Sequence, residues 1–290
     1  MMRALRRWIV DPLEALGFGV VLLALRLLPV DAASALGGAL ARALGPRLPV
    51  SEQARRNLRR ALPGLDAAGL ERVVVGLWDN LGRVVGEYPH LRRLAATRVE
   101  LVGAEHVAAL RDDGKPGIYF SAHFGNWELL PVVAARHGTP LSLVYRAANN
   151  RLVDRLLRIL RADGAELIPK GSAGARQAIA ALARGGHLAM LVDQKMNDGI
   201  AVQLFGRDAM TAPALAQLAL KYRCPVLPAR IERVGGAHFR LTVEPPLALP
   251  RSGDRQADTL AVMAAVNRRL EDWIAARPDQ WLWLHRRWPD

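Results

Sequence analysis

The stretch Gly117-Ile118-Tyr119-Phe120-Ser121-Ala122-His123-Phe124-Gly125-Asn126-Trp127-Glu128 changes character halfway along. Residues 117–120 form a short apolar run of strand type, and residues 129–137 carry a helical pattern, so 121–128 is expected at a strand-to-helix turn. Glycine at 125 lets the chain turn sharply and keeps space open beside an imidazole. Asn126 can cap the following helix or donate a hydrogen bond to a developing oxyanion. A hydrogen bond from Nδ1–H of His123 to Glu128, five residues on, would leave Nε2 free as a general base. The spacing alone decides nothing. With 7 histidines and 27 acidic residues in 290, chance yields roughly 0.65 such matches, and His285 to Asp290 is a second one. Context separates them: His123 ends a predicted buried strand, whereas His285 stands in a tail with Trp281, Trp283, Arg286, Arg287 and Trp288. A purely structural histidine at 123 stays open on these grounds.

Outward from this turn, strand-like and helix-like segments alternate. Strands are expected at 99–102, 117–120, 141–145, 166–168, 187–192, 226–231 and 239–243. Helices are expected at 105–111, 127–137, 151–162, 173–184, 212–222 and 258–276. Such alternation predicts an α/β fold with a mostly parallel central sheet flanked by helices, and functional residues gathered where strands end and helices begin. The first 95 residues read differently. A basic start, Arg3, Arg6 and Arg7 with Trp8, precedes apolar runs at 13–28 and 32–44. The first run has no clean small-residue cleavage site after it and falls short of the roughly 20 residues of a spanning helix. A membrane anchor, either a short tilted span or an interfacial helix pair, is the expectation, with a soluble helical hairpin as the alternative. Ser51 is a plausible N-cap for a helix whose Arg55, Arg56, Arg59 and Arg60 share a broad face, either solvated or in contact with an anionic partner. After Pro63-Gly64, Asp66 can cap a further helix whose Leu70, Val73, Val74, Leu77, Leu81 and Val84 keep helical spacing. Residues 1–95 are therefore expected to be a helical, membrane-anchoring part and 96–290 an α/β catalytic part, together one structural unit.

Composition sets limits on chemistry. The net charge of +13 suits an anionic partner without ranking nucleic acid, membrane and acidic protein. No nucleic-acid-binding module is recognisable. The single cysteine, Cys224, excludes an intrachain disulfide and a cysteine-cluster zinc site, and its apolar neighbours predict a buried residue. No His-x3-His or His-Glu-x-x-His occurs, so a protease-like zinc site is unsupported and no metal is expected. The tryptophan-rich tail is expected to pack against the sheet, with an interfacial belt that seats the protein on lipid as the alternative. Lys170-Gly171-Ser172-Ala173-Gly174 lacks the ending of a P-loop and reads as a capped turn.

The string from His123 to Glu128 resembles the His-x4-Asp/Glu signature of the bacterial lipid A biosynthesis acyltransferases, the late lauroyl and myristoyl transferases. Further strings match in order. Tyr145-Arg146-Ala147-Ala148-Asn149 is similar to that family's Tyr-Arg-Pro-x-x-Asn, with Ala147 in place of proline. Arg161-Ala162-Asp163-Gly164 resembles its Arg-x-x-Gly, and Asp193-Gln194 its Asp-Gln pair, with Lys195 where an acidic residue is common. Leu204-Phe205-Gly206 with Thr211-Ala212, and Gln280 to Arg287, resemble its last two blocks. The resemblance implies a glycerolipid acyltransferase-like fold and transfer of an acyl chain from an acyl carrier protein thioester to a hydroxyl of a phosphorylated lipid A precursor. Another membrane lipid as acceptor is the alternative. It further implies His123 as base with Glu128 as its orienter, and a substrate site drawn from Asn126, Tyr145, Arg146, Asn149, Arg161, Asp193 and Gln194. Arg146 and Arg161 would meet phosphates, with a structural ion pair as the competing account. The implied location is the cytoplasmic face of the inner membrane, with no cofactor and no nucleic acid.

Overall fold

The computed structural model describes residues 6–161 and 165–288. The helices are α1 (Asp11–Leu27), α2 (Val30–Leu44), α3 (Ser51–Ala61), α4 (Ala67–Glu87), α5 (Leu91–Thr97), α6 (Ala104–Asp112), α7 (Leu129–Arg136), α8 (Arg151–Arg161), α9 (Ser172–Ala183), α10 (Ala214–Tyr222) and α11 (Arg255–Ala276). The strands are β1 (Val99–Val102), β2 (Gly117–Ser121), β3 (Leu141–Tyr145), β4 (Ala165–Pro169), β5 (His187–Leu191), β6 (Lys195–Leu204), β7 (Arg207–Thr211), β8 (Val226–Gly235) and β9 (His238–Val243). Seven strands form one sheet in the order β1-β9-β8-β2-β5-β3-β4. Every neighbouring pair is parallel except β8 with β9. The expected α/β architecture is therefore present.

The central strand explains its own sequence. All five residues of β2 are buried, because helices cover both faces, and a strand so placed reads as a continuous apolar run. Ile118 and Phe120 join the core that holds Leu215, Met263 and Trp273, while Tyr119 joins the opposite core with Leu129, Val132 and Leu227. Parallel neighbours β2, β5 and β3 also end on the same side of the sheet. Ser121 is in register with Leu191, so the residues two steps beyond each, His123 and Asp193, are brought together by register.

One element was absent from the sequence reading. Residues 195–211 form an antiparallel hairpin, β6 with β7, turning at Phe205 and Gly206, both with positive φ. That is the geometry of a two-residue type I′ turn. Another difference is at α7, which starts at Leu129 rather than 127, because residues 123–128 are spent on the turn. Ser51 is the first residue of α3 rather than its cap; its hydroxyl donates to the carbonyl of Gly45 at 2.6 Å. Asp66 does cap α4, accepting from the Gly69 N–H at 2.6 Å.

The N-terminal helices leave an apolar face open. Residues Trp8–Leu27 make a helical stretch of 20 residues with mean hydropathy 1.8, long and apolar enough to cross a membrane. Leu13, Leu16, Val20, Leu23 and Leu27 are exposed on it. By contrast, α2 is locked to α4: a Cβ at Gly37 would collide with the carbonyl of Gly82, and one at Gly86 with that of Ala33. Such backbone approach leaves no room for a larger residue. In α3, Arg55 is ion-paired with Glu71 at 2.6 Å and Glu52 at 2.6 Å.

Candidate active site

His123 lies just past β2 and meets Asp193, just past β5. Its Nδ1 stands 2.9 Å from Asp193 Oδ1, and its own backbone N–H donates to Oδ2 at 3.0 Å. A third donor, Trp281 Nε1–H, reaches Oδ2 at 2.8 Å. Asp193 is completely buried. Burial by itself would raise its pKa, but the facing His123 ring and the hydrogen bonds it receives outweigh this and hold the carboxyl well below the usual carboxylate range. The ionised carboxylate fixes Nδ1 as the protonated nitrogen and leaves Nε2 as the acceptor. Gln194 Nε2 is 3.5 Å from that nitrogen.

The partner expected for His123 was Glu128, and here the structure corrects the reading. Glu128 accepts from Arg161 instead, Nε to Oε2 at 2.8 Å with a second, short bond from Nη2 to Oε1. Trp127 Nε1–H adds a bond to Glu128 at 3.1 Å, and the Trp127 ring meets His123 edge to face at 5.2 Å. Five residues around a left-handed glycine carry Glu128 to a different neighbour, whereas strand register places Asp193 beneath the imidazole. Arg161 also lies over the ring of Tyr88, 5.9 Å from its centroid. Burial first, then the charge of Glu128, pushes the Tyr88 hydroxyl pKa far up.

Asn126 is not available to an oxyanion. It is fully buried and donates to Glu87 Oε2 at 2.8 Å. Glu87 in turn is bridged by Arg233 at both carboxylate oxygens, one bond at 3.0 Å, and accepts from Ser34 at 2.6 Å. Arg233 Nε donates to Asn80 at 3.1 Å, and Asn80 donates to the Gly125 carbonyl at 2.9 Å. Breaking a buried ion pair of this kind costs about 3–5 kcal/mol. Gly125 itself has φ of 57°, and a Cβ there would strike the carbonyl of Ile231. The tail closes the same turn: Gly125 N–H donates to Gln280 O at 3.0 Å, and Leu282 N–H to His123 O at 3.0 Å. Trp281, Trp283 and Trp288 are buried, as packing required. Arg287 is buried too, donating to Met210 O and Thr211 Oγ1, and burial pulls its pKa down to about 10. His285 stands 3.2 Å from the backbone carbonyl of Asp193, so it supports the site; Asp290 lies outside the described residues.

A cavity of about 210 Å³ opens at His123. Its walls are apolar, with Leu130, Leu143, Met190, Leu241 and Val243, and its polar lining includes Glu128, Tyr145, Arg146, Arg161, Lys170 and Gln194. Tyr145 Oη is 3.5 Å from Asp154. Arg146 and Lys170 are exposed and meet no carboxylate among the described residues. Asn149 does not line the cavity. A Tyr-Arg-Pro-x-x-Asn pattern counted from Tyr145 ends at Asn150, and that is the residue the structure uses. Asn150 Oδ1 accepts from the N–H groups of Leu152 and Val153 at the start of α8, while Nδ2 donates to Asp11 O at 2.8 Å and Glu14 at 3.0 Å. The turn at Lys170 has Gly171 at its helix cap with φ of 119° and no side-chain cap. Ala162, Asp163 and Gly164 lie outside the described residues. Cys224 is buried, which pushes its thiol up to about 11. Among the described residues no group of three or more His, Cys, Asp or Glu is arranged to hold a metal.

Fold and site thus define an α/β enzyme class in which a carboxylate-backed histidine sits at the mouth of an apolar cavity beside an exposed apolar helix. The chain belongs to the bacterial lipid A biosynthesis acyltransferase family, whose model matches residues 2–290. It is an acyltransferase that associates with membranes. Among relatives, it is 22% identical over 244 residues to a lipid A biosynthesis acyltransferase of Haemophilus influenzae, covering 80% of this chain and 73% of that one. Among solved structures, it is similar to the 1-acyl-sn-glycerophosphate acyltransferase PlsC of Thermotoga maritima, with 13% identity, a TM-score of 0.37, and coverage of 79% of this chain and 98% of that one.

Proposed function

We propose that this acyltransferase moves a fatty acyl chain from an acyl carrier protein thioester to a hydroxyl of a phosphorylated lipid A precursor, at the cytoplasmic face of the inner membrane. The observation that carries the reading is the His123–Asp193 pair at the mouth of an apolar cavity. His123 Nε2 takes the proton of the acceptor hydroxyl as its oxygen attacks the thioester carbon. Asp193 stabilises the imidazolium that forms. Collapse of the tetrahedral intermediate breaks the C–S bond, and the imidazolium returns the proton to the leaving thiolate. No acyl-enzyme is required. The Gln194 amide is the side-chain donor beside the base, and the apolar walls suit a hydrocarbon chain. Arg146 and Lys170, which meet no carboxylate among the described residues, suit a phosphate on the acceptor or donor.

The test is an assay of the purified protein with acyl carrier protein thioesters against a panel of acceptors. Acylation of the phosphorylated disaccharide precursor is the expected result; acylation of a glycerolipid or aminolipid acceptor in its place would overturn the lipid A assignment while leaving the chemistry. Glu128 has a separate role in this proposal, holding Arg161 at the cavity. Glu128→Gln should lower kcat/KM by about 10–100-fold, the size of one lost charge-assisted hydrogen bond, chiefly through KM. A loss confined to kcat, as large as that from removing His123, would return Glu128 to the role of orienter.

A further inference from the structure

We propose that α8 is a second membrane contact, an interfacial helix that docks on an anionic bilayer surface beside α1. No residue of this 11-residue helix is buried, although it is strongly two-sided. Arg151, Arg155 and Arg158 recur at i, i+4 and i+7, forming one stripe. They are exposed, and none meets a carboxylate at ion-pair distance among the described residues. Leu152 and Ile159, 43% and 61% exposed, form an aliphatic stripe next to them. The acidic member of the helix, Asp154, is turned back onto the Ala148 N–H at 2.9 Å. An apolar stripe edged by unpaired cations is the pattern of a helix lying in the headgroup region.

Position in the fold favours a lipid surface over a protein partner. α8 packs along α1, and Asn150 ties its start to the backbone carbonyl of Asp11 and the side chain of Glu14. α1 also leaves aliphatics open, Leu13 and Leu16 among them, so the two helices that pack together both carry exposed apolar side chains. At the other end of α8 Arg161 reaches Glu128 at the cavity. Docked in this way, α8 holds the cavity mouth against the bilayer, where a lipid acceptor resides.

The experiment places an environment-sensitive fluorophore on I159C in the full chain, since the native Cys224 is buried. The protein is reconstituted in phosphatidylcholine vesicles with and without phosphatidylglycerol. The expected result is a blue shift, quenching by a lipid-borne nitroxide and shielding from an aqueous quencher, all stronger with phosphatidylglycerol. With R151Q/R155Q/R158Q the docked-to-undocked ratio on anionic vesicles should fall on the order of a hundredfold, from about 1 kcal/mol per arginine, while α1 keeps the protein on the vesicles. Equal accessibility of the label in both vesicle types, or shielding that survives the triple substitution, overturns the proposal. Shielding that appears only when acyl carrier protein is added, with or without vesicles, assigns this face to a protein partner and overturns it too.

Discussion

Asp193→Asn lowers kcat by about 10³–10⁴-fold with little change in KM, the expected consequence of reversing one hydrogen-bond polarity. Oδ2 of Asp193 receives two fixed donors, the His123 backbone N–H and Trp281 Nε1–H. An asparagine must therefore place its carbonyl oxygen there and its NH₂ toward His123. Facing that NH₂, Nδ1 becomes an acceptor and the proton moves to Nε2, the nitrogen the proposed mechanism needs as a base. Steady-state kinetics measures the loss, and ¹⁵N shifts of His123 report the tautomer, which a merely structural role would leave unaltered. Stability has its own signature. Because the folded-state pKa of Asp193 is depressed, its contribution is full above the ordinary carboxylate value of about 3.9 and is lost as pH falls below it. The asparagine variant should lack that part of the acid destabilisation. A variant with near-normal kcat would remove Asp193 from the proposed mechanism.

The difference between His123–Glu128 and His123–Asp193 shows what a sequence can carry. The apolar run of β2, its place before a helix, and the alternation of later segments were legible because burial on two faces and helical spacing both leave local patterns. The burial of Cys224 and the tail tryptophans was legible for the same reason. Partners across the sheet were not. Asp193 is 70 residues from His123; the resemblance put it in the substrate site, but only the register of Ser121 with Leu191 makes it the partner of the imidazole, a role the resemblance gave to Glu128. Asn126 was read as a helix cap or an oxyanion donor because Glu87, which accepts from it, and Arg233, which pairs with Glu87, lie on α4 and β8, far away in sequence. The β6–β7 hairpin was missed through its turn: Phe205 adopts φ of 52°, and phenylalanine gives no signal for a left-handed position where Asn-Gly or Asp-Gly would. Val202, Leu204, Ala209 and Thr211 are buried in alternation, and that pattern was available.

His123→Ala is expected to reach the upper end of the roughly 10²–10⁴-fold range for loss of a general base. Substrate binding should survive, since the apolar walls and the cations at the mouth are untouched. The side chain of His123 is 18% exposed, and the turn around it is held independently by Gly125, Asn80 and the backbone of Gln280 and Leu282. Folding should therefore persist, with Asp193 keeping two of its three donors and losing about 1.5–3 kcal/mol of charge-assisted hydrogen bonding. The decisive comparison is the double variant. If Asp193 acts only through the imidazole, His123→Ala with Asp193→Asn should turn over no more slowly than His123→Ala alone, because groups that act as a unit are strongly non-additive. Multiplicative losses would mean that Asp193 serves catalysis by a second route, through the Trp281 contact or the placement of Gln194. Measured kcat values for the four proteins, with circular dichroism to verify folding, decide between a dyad and two separate contributions.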